Sequence, residues 1–507
     1  MSTEFAPSFF RRHPSVALAV SVGLIVFGCR LALIDAYGTD LPFQDEWGKV
    51  GDFVLARLRE GDPTWLQAAL LPHNEHRIYF TLGVDVLLTQ LSGQWDTRQQ
   101  CVVSALLWSI VTSGLAAFAW QRLPRPWGAV PVVIVIALAA LPLVWQNILL
   151  GFQSQFCFLI GFSLLGIDGL LREPYSPRWW IGLAAMLCAL VSMGSGFLCA
   201  LAVVPFLFRD LLETRRLRTA FACLAAVAVF ALGWCFHFEP PWHASLRSAS
   251  VSDFVIYAAH CLAWPLPAHP MAAVLFYSPL LALAVFWFRP ASSANSSRHA
   301  IRFTLAAGAW AIMQIAAVSY ARGKGGGFPA NRYGDVFATG IVANAFAFAL
   351  LAPPLQRWRR VLLGWFGIWF VVLLFGVVIA LESIFSHELR EHRSSVRGFE
   401  STVRAYVRDG DGAALRGRPI PFPDYDWFIR LLDRPSIRAI LPPSVSHPRH
   451  VSSLSRLAAK LSKLGWVFAT LGLLGLALLA MGGRRVQRVV LLAPMVAAGA
   501  LGWVGSS

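Results

Sequence analysis

The sequence predicts an all-α polytopic membrane protein. Of its 507 residues, 57% are hydrophobic and only 14% are charged, and the mean hydropathy is +0.59. Soluble globular chains carry about 25% charged residues. Apolar runs long enough to cross a bilayer as helices recur along the chain, and short clusters of Lys and Arg separate them. We therefore expect about 13 transmembrane helices, with juxtamembrane helices and a small cap on the outer side.

Each expected span is a predominantly apolar run, most of them close to the roughly 20 residues that a bilayer requires. The two shortest runs, 179–193 and 196–208, meet at Gly194 and Gly196, where we expect a tight turn near the outer face. The predicted spans are 15–34, 99–120, 128–146, 152–171, 179–193, 196–208, 218–237, 271–289, 301–319, 334–352, 360–381, 465–482 and 488–505.

The segment 78–91 is apolar but short, and it carries Asp85, so a full crossing would be costly. We predict that it lies in the membrane interface. With this assignment every short basic cluster between spans falls on the same side, which the positive-inside rule makes the cytoplasm. The N-terminus is then inside. The net charge of +16 follows from this distribution and does not indicate nucleic-acid binding.

This topology predicts which segments lie outside the cytoplasm. They are 35–98, 145–156, 238–270, 321–335 and 383–464. We divide the chain into a transmembrane catalytic region at 1–382, with 35–98 as its first outer loop, an outer loop or cap at 383–464, and a terminal pair of spans at 465–507.

The first outer loop carries two polar stretches, "FQDEW" (43–47) and "LPHNEHRIY" (71–79). A carboxylate close to the membrane is suited to deprotonate a hydroxyl as that hydroxyl attacks, which makes Asp45 and Glu46 candidate catalytic residues. The alternative is a solvated acidic loop. His73 and His76 are candidates for hydrogen bonding to a substrate or for capping the start of the following helix. We expect no metal here, since the spacing lacks the HExxH pattern and a third ligand is not evident.

The loop "ARGKGGGFPANRYGD" (321–335) concentrates cations beside a glycine run. Arginine binds phosphate bidentately, and glycine-rich backbone can approach a phosphate closely. We predict that Arg322, Lys324, Arg332 and Tyr333 bind a phosphate. Contact with lipid headgroups or simple loop solubility is the alternative, and Tyr333 is also typical of the aromatic belt at a membrane interface.

The break "WQNILLGFQSQF" (145–156) supplies neutral amides at the outer edge of two predicted spans. Amides and aromatic rings are typical of sites that hold sugar hydroxyls. We therefore predict that Gln146, Asn147 and Gln153 contact a substrate. Hydrogen bonding between helices is the alternative.

These features together resemble the GT-C glycosyltransferases, integral membrane enzymes related to protein O-mannosyltransferases and to the aminoarabinose transferases of lipid A. The resemblance covers the general plan of about residues 1–380. It implies that Asp45 is the catalytic base with Glu46 as its neighbour, that His73 lies in the family's His-Pro-Pro-Leu-like motif, and that Arg332 and Tyr333 form its Arg-Tyr motif. This chain has "HNEHRI" without the prolines, and Gly-Asp-Val where Leu-Leu-Pro is usual.

The resemblance implies a polyprenyl-phosphate-linked sugar as donor, used at the periplasmic face of the inner membrane. The expected activity is inverting hexosyl or pentosyl transfer to a glycan, lipid or protein of the cell envelope. It requires no cofactor, and a divalent metal is compatible with it but not needed.

Two other classes remain open from the sequence. An O-antigen polymerase or ligase would use the arginines of the 383–464 loop as its main site. A transporter of lipid-linked sugars would need polar residues near the middle of its spans, where this sequence has few.

The topology yields a test. A reporter fused at residue 95 is expected on the same side of the membrane as a reporter at residue 40, because 78–91 does not cross. Accessibility to a membrane-impermeant label measures this directly. Cytoplasmic labelling at 95 would show that 78–91 is a span.

Overall fold

A computed structural model describes residues 13–287, 297–446 and 451–481. Within these ranges the chain is helical, and its β-type pairing is confined to one isolated bridge between His73 and His76. The predicted all-α class is confirmed. The last predicted span, 488–505, lies outside the described residues.

A bundle of apolar helices forms the body of the molecule. The helix Gly334–Leu351 lies at its centre, since all of its residues are buried, and a helix that is apolar all round requires such a position. The bundle helices are α1 (Pro14–Tyr37), α2 (Thr97–Arg122), α3 (Ala129–Ala140), α4 (Ser154–Leu170), α5 (Pro177–Leu190), α6 (Leu198–Thr214), α7 (Leu217–Cys235), α8 (Ala272–Trp287), α9 (Arg298–Arg322), α10 (Gly334–Leu351), α11 (Arg359–Ser383) and α12 (Gly465–Met481).

Seven helical segments of the described chain are long and apolar enough to cross a membrane, or eight if a bent pair at 453–480 is one span. The structure therefore confirms that the chain has apolar helices long enough to span a membrane, but it does not confirm the predicted number of 13. Several predicted runs are interrupted in the structure. The run 128–146, for example, becomes the 12-residue helix α3, the 3-10 turn Pro142–Val144 and the short helix Gln146–Leu149.

The segments predicted to lie outside the cytoplasm gather at one end of the bundle, which we call the cap end. Contacts between segments that are far apart in sequence establish this arrangement. They are Glu75 with His243 and Arg322, Asn147 with Arg332, Trp145 with Glu388, and Thr39 with Glu400.

The opposite end, which we call the basic end, carries the arginine clusters that connect the helices. Its ion pairs join neighbouring connections of the bundle. They are His299 with Asp168, Arg302 with Asp210, Arg298 with Asp210 and Glu213, and Arg218 with Glu173. The two ends therefore differ in kind, because one holds long folded loops and the other short basic turns.

The cap end has a hydrophobic core of its own. Trp47, Val54 and Trp95 from the first loop pack with Phe428 and Leu432 from the 383–446 region. The helices of this end are Glu46–Ala56 (π-helical), Arg57–Arg59, Trp65–Leu70, Tyr79–Ser92, Val251–Leu262, Leu389–Asp409, Gly412–Leu415, Tyr425–Leu432, Pro435–Arg438, Pro443–Ser446 and Ser453–Lys463, with short turns at Gly151–Gln153, Pro241–Leu246, Lys324–Gly326 and Asn331–Tyr333.

Helix α11 does not stop where the loop was predicted to begin. It continues through the π-helical segment Ile384–Glu388 into Leu389–Asp409, so the boundary predicted at 382/383 falls within a continuous helix. This long helix carries the chain from the bundle into the cap core. The first loop and the 383–446 region thus form one folded layer over the bundle.

Helix Tyr79–Ser92 corresponds to the predicted interfacial segment. Tyr79 N donates to Val191 O at 3.0 Å, where α5 ends, and Thr97 N donates to Asp40 O at 3.0 Å, where α2 begins. Both flanks of the helix are therefore at the cap end. This placement agrees with a segment that does not cross the bundle.

Candidate functional site

A small polar cavity of about 80 Å³ lies at the cap end of the bundle. Side chains from all three predicted clusters line it. They are Asp45, Glu46, His73 and His76 from the first outer loop, Gln153 from the break before α4, and Arg322, Arg332 and Tyr333 from the loop after α9. The fold thus brings together residues separated by almost 290 positions in the sequence.

Asp45 and His73 form a carboxylate–imidazole pair in this cavity. His73 Nε2 lies 3.4 Å from Asp45 Oδ2, and the Asp45 side chain is 61% exposed. The hydrogen bond from His73 is the main cause that holds the pKa of Asp45 below its ordinary value. An exposed, ionised carboxylate with a free lone pair is able to accept a proton from a substrate.

A tight turn positions His73. Its backbone exchanges hydrogen bonds with His76 at 2.7 and 2.9 Å, and Asn74 between them has a φ of 51°. Asparagine tolerates this left-handed conformation better than most residues. The buried Lys49 secures the approach to the turn, since its Nζ donates to Ala68 O and Leu71 O at 2.7 and 2.8 Å. Burial lowers the pKa of Lys49 to about 8.

Glu46 has a different environment from its neighbour Asp45. Its side chain is only 1% exposed, and both of its oxygens accept hydrogen bonds. Phe152 N donates at 2.8 Å, Phe43 N at 2.9 Å and Thr97 Oγ1 at 3.2 Å. Burial raises the pKa of Glu46 to about 7. Glu46 therefore joins three segments of the chain through buried hydrogen bonds.

Glu75 is the centre of a second polar cluster, which the sequence analysis did not predict. Its carboxylate pairs with Arg322 and lies 2.9 Å from His243 Nδ1. Burial alone would raise the pKa of Glu75, but its neighbours His76 and Arg322 hold it below the ordinary value. Glu75 stands between the two predicted histidines, whereas His243 belongs to no recognisable sequence pattern.

His76 is a structural partner of this cluster. Gly194 N donates to its Nδ1 at 3.2 Å, so the ring proton sits on Nε2, which faces Glu75 Oε1 at 3.7 Å. Burial lowers the pKa of His76 to about 4, which keeps the ring neutral at physiological pH. The predicted turn at "SMGSG" therefore serves to hold a histidine of the site.

Arg332 is the available cation of the polar cavity. It is half-buried, lies over the ring of Tyr333 at 5.3 Å, and forms no ion pair with any residue that the structure describes. Asn147 holds its backbone, because Asn147 Nδ2 donates to Arg332 O at 2.8 Å and to Asp335 Oδ2 at 2.9 Å. An unpaired, partly desolvated guanidinium is suited to bind an anion.

Three predicted site residues are not brought to the cavity as expected. Lys324 is exposed and lines no cavity described here. The Gln146 side chain does not line the cavity, and Asn147 is buried and occupied in positioning Arg332. Of the amides in this break, Gln153 and Gln155 line the cavity, and Gln153 accepts a hydrogen bond from Gln155 at 3.4 Å.

A larger apolar groove of about 480 Å³ adjoins the polar cavity. The two share a wall that includes Glu75, His76, Phe156, Met193, Arg322 and Tyr333. The groove continues between helices α4, α6, α7 and α9, where it is lined mainly by Leu159, Leu198, Leu201, Phe230, Trp234, Met313 and Ala317. The combination provides a polar chamber and an apolar channel side by side, which suits an amphiphilic ligand.

Among the described residues, no group of three or more His, Cys, Asp and Glu side chains is placed to hold a metal ion. Comparison with known proteins gave no match to a protein family, to a curated protein or to a solved structure.

The geometry of Glu46 yields a stability prediction. Glu46→Ala is expected to lower the stability of the folded protein, because each buried donor left without its acceptor costs about 1–3 kcal/mol. Asp45→Ala removes a neighbouring carboxylate that is mostly exposed, and it should leave stability nearly unchanged. Thermal unfolding of both purified variants in detergent measures the difference. Equal stability of the two variants would contradict the anchoring role.

Proposed function

We propose that the protein is a glycosyltransferase that takes a sugar from a polyprenyl-phosphate donor and transfers it to a cell-envelope acceptor. One observation carries the proposal. A polar cavity with an exposed carboxylate and an unpaired arginine shares a wall with a long apolar groove. A lipid-linked sugar has the same division into a charged, hydroxylated head and an apolar tail.

The groove between α4, α6, α7 and α9 accommodates the polyprenyl tail, whose burial is favoured by the apolar lining. The phosphate then lies at the shared wall, within reach of Arg332 and Arg322. Arg332 forms no salt bridge within the described residues, whereas Arg322 is paired with Glu75. Charge compensation by these guanidinium groups makes the lipid phosphate a better leaving group.

Asp45 acts as the general base in this scheme. It accepts the proton of the acceptor hydroxyl while the hydroxyl oxygen forms a bond to the anomeric carbon. The bond from that carbon to the phosphate oxygen breaks, and the lipid phosphate departs with the electron pair. Attack from the face opposite the phosphate inverts the anomeric configuration. His73 orients Asp45 and keeps it ionised.

The distribution of charge supports an active site at the outer face of the inner membrane. The arginine clusters that connect spans lie at the basic end, opposite the polar cavity. By the positive-inside rule the basic end is cytoplasmic, which assigns the cap end to the periplasm.

The ion pairs of the cap favour an active site in the polar cavity over a polymerase-like site in the 383–464 loop. Several of its arginines are already committed to carboxylates. These are Arg408 with Asp409, Arg416 with Asp426, Arg434 with Asp52 and Glu60, and Arg438 with Asp433. Such paired arginines are less available to a substrate phosphate than Arg332.

Asp45→Asn is expected to lower turnover about 10²–10⁴-fold while donor binding persists, because the amide keeps the shape of the carboxylate but cannot accept the proton. Transfer of labelled sugar from a panel of polyprenyl-phosphate hexoses and pentoses, in proteoliposomes, measures it. Asp426→Asn, an exposed carboxylate of the cap that lines no described cavity, is the control. Near-normal turnover of Asp45→Asn would exclude Asp45 as the base.

Arg332→Ala is expected to weaken binding of the same donors by roughly 10- to 150-fold, since a charge-assisted hydrogen bond contributes about 1.5–3 kcal/mol. Lys324→Ala lies in the same loop but outside both cavities, and it should cost much less. Equilibrium binding in detergent compares the two variants. An equal loss in both would indicate a general effect of loop charge and would remove Arg332 from the phosphate site.

A further inference from the structure

A second apolar groove runs along the bundle toward the basic end, away from the polar cavity. It has a volume of about 540 Å³ and lies between α2 and α4, with Phe303 of α9 at its floor. Its apolar lining includes Leu107, Ile110, Val111, Leu115, Phe158, Phe162 and Leu165. The proposed glycosyl transfer does not use this groove.

The length of the groove matches one leaflet of a bilayer. From Leu107 to Arg122 the helix α2 rises about 22 Å, at about 1.5 Å per residue. The hydrocarbon of one leaflet is about half of a 30 Å core, which leaves room for an acyl chain and the start of a headgroup. Gly114 widens the groove, since a Cβ atom added there would meet nothing within 4 Å.

The basic end of the groove is positively charged. Arg122, Arg172 and Arg178 line it together with a single carboxylate, Asp168. Arg172 binds that carboxylate with contacts of 2.7 and 3.0 Å, and His299 Nε2 lies 2.8 Å from it. Arg122 and Arg178 are exposed and form no ion pair within the described part of the chain. Two cations therefore remain for an anionic headgroup.

We propose that this groove binds an anionic phospholipid, with its phosphate between Arg122 and Arg178 and an acyl chain along α2 and α4. Basic pockets between membrane helices are suited to such headgroups, because the charge selects anionic lipids while the apolar walls hold the chain. The site is distinct from the polar cavity at the other end of the bundle. It stands whether or not the protein transfers sugars.

The test uses the full-length protein in detergent and counts bound lipid by native mass spectrometry during titration with phosphatidylglycerol or phosphatidylcholine. The double variant Arg122→Gln/Arg178→Gln is expected to bind phosphatidylglycerol about tenfold more weakly. The control Arg215→Gln/Arg216→Gln removes two exposed arginines that line no described cavity, and its affinity should match the unchanged protein.

A second variant tests the apolar part of the groove independently of the arginines. Gly114→Leu fills open space in the groove and should weaken phosphatidylglycerol binding, whereas Gly364→Leu, also in open space but outside the groove, should not. Three results would overturn the proposal. The two double-arginine variants could lose equal affinity for phosphatidylglycerol, phosphatidylcholine could bind as tightly as phosphatidylglycerol, or Gly114→Leu could leave phosphatidylglycerol binding unchanged.

Discussion

The buried carboxylate of Glu46 is the constraint on which the candidate site depends. It joins the first loop at Phe43, the start of α2 at Thr97 and the break before α4 at Phe152. These donors compensate part of the cost of burying a carboxylate, and burial still raises its pKa to about 7. Since Asp45 is its neighbour in the chain, Glu46 fixes the backbone of the proposed base relative to the bundle while leaving the Asp45 side chain exposed.

The second organising feature is the wall between the polar cavity and the apolar groove. Glu75 and Arg322 form an ion pair in this wall, and both line the two spaces. In the proposed function, a lipid-linked substrate that occupies both spaces would place its phosphate beside this pair. Arg322 would then be shared between the Glu75 carboxylate and the substrate phosphate, whereas Arg332 forms no salt bridge within the described residues.

The bundle separates its charges along its length, and this separation gives the two ends different chemistry. At the cap end, carboxylates, histidines and arginines from long loops converge on the polar cavity. At the basic end, short connections leave arginines at the mouth of an apolar groove. The separation follows from the sequence, because the acidic first loop and the basic connections alternate with the spans.

The sequence alone is enough to predict the all-α class, the apolar helices, the gathering of the long loops at one end and the presence of Asp45, His73 and Arg332 in those loops. These depend on hydropathy and charge order, which are local properties of the chain. The packing of the helices was needed to show that Glu46 is buried and joins three segments, that Asn147 supports Arg332, that Lys324 lies outside the cavity, and that Glu75 and His243 belong to the site. Each of these outcomes depends on burial or on a partner distant in sequence, such as Phe152 for Glu46 and His243 for Glu75. A residue's type and its neighbours along the chain do not specify such a partner, because the packing of separate helices creates it.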